Sequence, residues 1–240
     1  MFKKLLAAAG IGGARVDTRL HQSQLYPGQR IEATILIQGG EASQRIDGID
    51  LSLMTRAKVS TDQGTRFNNI SLAQWRIDAN FEIQPGEVQE IPFRAQLHPE
   101  TPFTRLPVRN NQSRVWLTTG VDIDLATDPD DNDSLEILPS PVLSHILAAM
   151  DNLGFTLSKA DVEQGYLRTP TFTSSSGCYQ ELEFRPRRTA GLSSLNEVEI
   201  SLVCDERTTY VLIELDRAFR RDGYISFHIQ DLKKTLHLKF

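Results

Sequence analysis

This chain of 240 residues is poor in cysteine, tryptophan and methionine, with two, two and three of them, and the shortages narrow the field. Cys178 and Cys204 are too few for a disulfide framework, and no Cys-x-x-Cys or His–Cys grouping marks a metal site. Both stand in apolar, alternating stretches where a thiol behaves as a small hydrophobe. A reduced pair is expected, with a single bridge between them as the alternative. Long apolar runs are lacking too: nothing approaches the roughly 20 residues that a membrane-spanning helix needs. Nor is there a basic excess. The net charge is −5, with 14 Lys+Arg against 18 Asp+Glu over 1–138 and 12 against 13 over 139–240. Neither part supplies the positive field that a phosphate backbone demands, which argues against nucleic acid as a partner. Strand–helix alternation is missing as well, which disfavours a doubly wound α/β enzyme.

The opening, MFKKLLAAAGIGGARVD, imitates a secretory leader in its basic start, short apolar run and small residues. Gly10, Gly12 and Gly13 interrupt the helix that the apolar part of a leader needs, and a strand pattern begins at Ala14. The segment is therefore expected to be retained, and the protein to be cytoplasmic.

What is there in quantity is period-two alternation. Ala14, Val16, Thr18 and Leu20 alternate with Arg15, Asp17 and Arg19; after the turn at Pro27-Gly28, Ile31, Ala33, Ile35 and Ile37 do the same. Ile49, Leu51 and Leu53 form a third set. A Pro85-Gly86 turn leads into Ile91, Phe93, Ala95 and Leu97, and a long run extends from Val115 to Leu125. Short strands bounded by Gly, Pro and Asn/Asp turns read as an antiparallel sandwich.

The pattern changes at Pro139-Ser140-Pro141. Val142, Ile146, Met150 and Leu153, with Leu143 and Leu147 beside them, give the one convincing amphipathic helix. Ser140 suits its N-cap, Pro141 its first turn and Gly154 its stop. Strands then resume. Cys178, Gln180, Leu182 and Phe184 share one face, and Val198, Ile200, Leu202 and Cys204 share the next. A hairpin follows through 205–208 into Tyr210–Leu215. The expected organisation is an N-terminal lobe over 1–138, a connecting helix over 139–153 and a C-terminal lobe over 154–240.

Several stretches resemble the bacterial sporulation-control family of the stage-zero protein M type. In the first half they are FKKLLAAAGIGGARVDTRL (2–20), YPGQRIEATILIQGG (26–40), IDGIDLSLMT (46–55), EIPFRAQL (90–97) and VWLTTGVDIDLATDPDDND (115–133). In the second they are QELEFRP (180–186), LNEVEISLV (195–203) and IELDR (213–217). The resemblance covers nearly the whole chain. It implies an all-β, arrestin-like fold of two antiparallel β-sandwich lobes, and regulation or scaffolding through protein contacts without catalysis. The family brings no catalytic set to carry over.

The remaining chemistry is sparse. Asp128, Asp130 and Asn132 fall at the first three ligand positions of an EF-hand spacing. Asp133 stands where that loop needs Gly, however, and Pro139 where it needs Glu, so the segment reads as a solvated acidic turn. The five histidines (His21, His98, His145, His228 and His237) are scattered, none at ligand spacing from another donor. Gly10-Ile11-Gly12-Gly13 precedes a strand, whereas a dinucleotide loop follows one and opens a helix. No cofactor or metal is expected. Two arginine clusters stand out: Arg185, Arg187 and Arg188 end one strand, and Arg217, Arg220 and Arg221 follow another. Guanidinium forks suit phosphate or carboxylate, so these six are the candidate contact for an acidic or phosphorylated protein partner. The bland alternative pairs them with local acids such as Glu181 and Glu183. Whether the clusters meet depends on strand order. The functional expectation is a cytoplasmic, non-enzymatic regulator or scaffold that binds other proteins, with a homo-oligomer as an open option. The alternative is a β-sandwich hydrolase or carbohydrate-binding module, for which neither clustered aromatics nor a convergent acid pair is visible.

Overall fold

The structure, a computed structural model, describes residues 12–22, 24–62, 64–123, 130–187, 195–205, 208–217 and 224–227. The all-β expectation is met. A first sheet is formed by β1 (Arg15–Leu20), β3 (Arg30–Gln38) and β6 (Val88–Gln96), all antiparallel, in the order β1-β3-β6. Alternation dictates its buried face: Ile31, Ala33, Ile35 and Ile37 point inward from β3, and Phe93 from β6. Against it lies a sheet built on β4 (Gln44–Thr61), β5 (Gly64–Ile83), β7 (Val115–Ile123) and β8 (Asp130–Ser134). Thr18 donates to Thr119 at 2.8 Å across the two layers, and Trp75 meets the edge of Phe93 at 5.5 Å. Two short strands, β2 (Gln24–Leu25) and β9 (Glu136–Ile137), pair in parallel at the rim.

The long hairpin β4–β5 was only partly legible. Its turn is made by Gly64, whose φ of +116° is open to glycine. One edge of β4 is taken along its whole length by β5. The other edge is shared in succession, by β7 from Ile46 to Thr55 and then by β10 (Phe155–Gln164), which meets β4 in parallel where Lys58 faces Glu163. β4 thus carries the sheet into the second half of the chain. There it continues antiparallel through β11 (Cys178–Pro186), β12 (Leu195–Cys204), β13 (Thr209–Arg217) and β14 (Tyr224–Phe227).

Between the halves stands α1 (Pro141–Asn152), the helix expected from the sequence. Ser140 caps it, its Oγ accepting from the Leu143 amide at 3.2 Å; Pro141 opens the first turn, and Gly154 follows the C-cap at a φ of +87°. Leu143, Ile146 and Met150 are its buried face. Leu153, expected on that face, is exposed at the C-cap, just before Gly154 turns the chain off the helical path. Buried apolar contacts run without a break from Ala14 through α1 to Val211. The acidic segment departs from the expected turn: Asp130–Ser134 is a strand pairing with β7, while 124–129 lies outside the described residues.

Candidate functional site

The strand order decides how the arginines expected to form a contact surface are placed. β11 and β13 flank β12 and both run antiparallel to it, so they run parallel to each other. Their C-terminal ends therefore lie at one end of the sheet. Phe184, Val198 and Leu215 stand in one cross-strand row, with Arg185 and Asp216 one step further. Two strand spacings, about 10 Å, separate the backbones of Arg185 and Arg217. The exposed Arg185 pairs through Nε with the half-buried Glu197 at 3.2 Å, and the exposed Arg187 through Nη1 with Asp151 at 2.7 Å at the end of α1. The acids engaged are thus Glu197 and Asp151 rather than Glu181 and Glu183. Arg217 is described by its backbone, and Arg188, Arg220 and Arg221 lie outside the described residues.

Both faces of the second-half sheet follow from alternation. Cys178, Gln180, Leu182 and Phe184 face the core, as expected, beside Val198, Ile200, Leu202 and Val211. Gln180 is satisfied there, bonding the backbone of Phe103 in both directions and the Ser113 hydroxyl at 2.7 Å. The opposite face is charged. Lys58 and Lys159 both reach the fully buried carboxylate of Asp161, at 3.4 and 2.7 Å, and bind Glu163 and Glu183 respectively. The carboxylates outnumber these cations, and the surplus lies on β11, β12 and β13. Burial, then repulsion from Glu199, pushes Glu181 up to about 8. Burial, then Glu214, pushes Glu199 up to about 7, and burial raises Glu214. Sequence reasoning missed this face because its members come from separate strands whose order it could not fix.

It also missed a meeting of serine, histidine and carboxylate. Ser175 Oγ lies 3.4 Å from His98 Nε2 and donates to Glu100 at 3.0 Å. The roles are wrong for nucleophilic catalysis. His98 Nδ1 accepts the Glu100 amide at 3.1 Å, which leaves the neutral ring's proton on Nε2, so the nitrogen facing the serine is a donor, not a base. Glu100 also accepts the amides of Ser175 and Ser176, so the group is a clasp between two loops. Cys178 and Cys204 are both free thiols, and burial pushes the Cys178 thiol up to about 11, far from a nucleophilic thiolate at neutral pH.

One further feature is exposed. β5 has 20 residues and pairs only with β4 among the described strands, so its outer edge offers unpaired N–H and C=O groups along the sheet. No helix among the described residues is long and apolar enough to cross a membrane.

Comparison with known proteins agrees with this architecture. The family model described as SpoOM protein matches residues 2–219. The sporulation-control protein Spo0M of Bacillus subtilis is 33% identical over all 240 residues of this chain and 90% of its own length. The crystal structure of Spo0M from Bacillus subtilis superposes with a TM-score of 0.80 at 29% identity, over 95% of each chain. The two-sandwich, arrestin-like class fits the strand order above, and the chain belongs to the Spo0M family.

Proposed function

We propose that this protein is a non-enzymatic, cytoplasmic regulator or scaffold that works by binding other proteins; the name of its sporulation-control relative supports the regulatory part of this reading. The observation that carries this reading is the open edge of β5. An extended peptide can add to such an edge by main-chain hydrogen bonds, with alternate side chains supplying specificity. Most β5 side chains are exposed, and the strand carries only four charged residues (Arg66, Arg76, Asp78 and Glu82) to discourage pairing. The same edge offers a route to a homo-oligomer.

The arginine end of the second-half sheet is the proposed second contact, for an acidic or phosphorylated segment of a partner. Arg185 and Arg187 are its described members, with Arg188, Arg217, Arg220 and Arg221 completing it. Its support is the parallel course of β11 and β13, which ends both strands on one side. The lobes over 1–138 and 154–240, with 139–153 as connector, are the units proposed to present these surfaces.

The test is hydrogen exchange on the protein alone and with a partner captured from its own cell extract. Slowed exchange in 64–83 or at the ends of β11 and β13 supports the reading. Protection confined elsewhere, or turnover of a substrate by the purified protein, contradicts it.

A further inference from the structure

The charged face of the second-half sheet carries a site of its own. Its cations are spoken for: Lys58 binds Asp161 and Glu163, Lys159 binds Asp161 and Glu183, and Arg185 binds Glu197. Among the described residues, this leaves Glu181, Glu199 and Glu214 without a salt-bridge partner. These three converge. Glu199 and Glu214 are direct cross-strand partners, and Glu181 leans toward them from β11, so that one oxygen of each lies within 4.8 Å of the others. Three half-buried carboxylates at this spacing repel one another strongly unless protons or a cation intervene. Burial with repulsion from neighbouring acids raises the proton affinity of Glu181 and Glu199, and burial raises that of Glu214.

A second observation, independent of the acids, points to a ligand. Ser201 is 1% exposed, and its Oγ finds no hydrogen-bond partner. Ser201 stands directly across from Glu181 and two residues along β12 from Glu199, on the same face of the sheet. A buried hydroxyl without a partner is costly, so one beside three carboxylates that lack a cation points to an electrophile between them.

We propose that Glu181, Glu199 and Glu214, with the Ser201 hydroxyl, form a binding site for a hard divalent cation, Ca2+ in the first place. The donors are all oxygen, which suits hard cations and not thiophilic ones. Ca2+ accepts oxygen donors at about 2.3–2.6 Å in irregular geometry, whereas Mg2+ demands near-ideal octahedral geometry at about 2.0–2.1 Å and gives up its waters reluctantly, so carboxylates gathered from three separate strands suit Ca2+ better. The cation ties β11, β12 and β13 together across one face. Its role is structural: it fixes the relative positions of the three strands whose ends carry Arg185 and Arg217.

The test uses the whole protein, stripped with chelator and then titrated with CaCl2 or MgCl2 at constant ionic strength, read by calorimetry and by thermal melting. One Ca2+ per chain is expected, with a rise in Tm, and Mg2+ is expected to bind more weakly. Glu199→Gln keeps the side chain's shape and removes its charge; it is expected to weaken Ca2+ binding about tenfold or more. Ser201→Ala, which leaves all three acids in place, is expected to weaken it by a smaller factor, and it serves as the second variant if a Gln variant fails to fold. Absence of a heat or Tm response up to about 10 mM Ca2+ overturns the proposal. So does a response undiminished in both Glu199→Gln and Ser201→Ala, which marks general screening by divalent ions.

Discussion

Lys58 of β4 and Glu163 of β10 are register partners in the parallel bridge that joins the two halves of the sheet, and their side chains form an ion pair at 2.5 Å. The pair sits beside the fully buried Asp161, which Lys58 also reaches. Removing one member of such a group strands its partners, whereas removing both members of a pair does not. Lys58→Met is therefore expected to lower stability by about 3 kcal/mol, read from the urea midpoint. The double variant Lys58→Met with Glu163→Leu is expected to recover only part of that loss, because Asp161 is then left with Lys159 alone.

The helix between the halves rests on its caps. Ser140→Ala removes the acceptor for the Leu143 amide and is expected to cost about 1 kcal/mol. Gly154→Ala places a Cβ at a φ of +87° and is expected to cost about 1–2 kcal/mol. A Tm unchanged in both variants would show that packing against β10 alone holds α1.

Most of the fold was legible where one face of a strand is buried. The alternations at Ile31–Ile37 and Cys178–Phe184 name the inward residues correctly, and Ser140, Pro141 and Gly154 bound the helix as local chemistry requires. β5 went largely unread: its first part is exposed on both faces and carries no apolar period, although further along Ala73, Trp75, Ile77, Ala79, Phe81 and Ile83 do alternate with exposed residues. β8 was hidden because five polar residues in succession read as a turn, yet they pair along β7. The charged face was illegible for another reason. Glu181, Glu199 and Glu214 are spaced 18 and 15 residues apart in the sequence, and only the order β11-β12-β13 brings them together.

Asp133 gives stability a pH dependence on the first sandwich. Burial, then the neighbouring Asp131 charge, pushes it up to about 6 from an ordinary 3.8. The folded state thus holds this proton more tightly than the unfolded chain. The resulting stabilisation is fully present below about pH 3.8 and is lost as pH rises through about 6. Asp133→Asn is expected to remove this contribution. Thermal melting between about pH 4 and pH 7 should then show the wild type losing stability relative to the variant as pH rises. Parallel curves would contradict the assignment.

Arg185 and Arg187 allow recognition to be separated from folding. Both arginines are exposed in their ion pairs with Glu197 and Asp151, so Arg185→Gln and Arg187→Gln are expected to change stability by less than about 1 kcal/mol each. Loss of a captured partner in variants that melt like the wild type therefore reads as loss of a contact surface. Retention of every partner by the double variant would return these arginines to ordinary surface charge.

This protein is proposed to act by holding other proteins, with the edge of β5 as a main contact. The most direct measurement is affinity capture from the native cell extract, with wild type and an edge-blocked variant side by side and the bound proteins identified by mass spectrometry. Ser71→Lys with Asn80→Lys places two charges on exposed positions of β5 and discourages strand addition without touching the core. The account predicts a partner that the wild type retains and the folded variant loses. The same bound proteins on both, or none beyond those on an unrelated control protein, would contradict it.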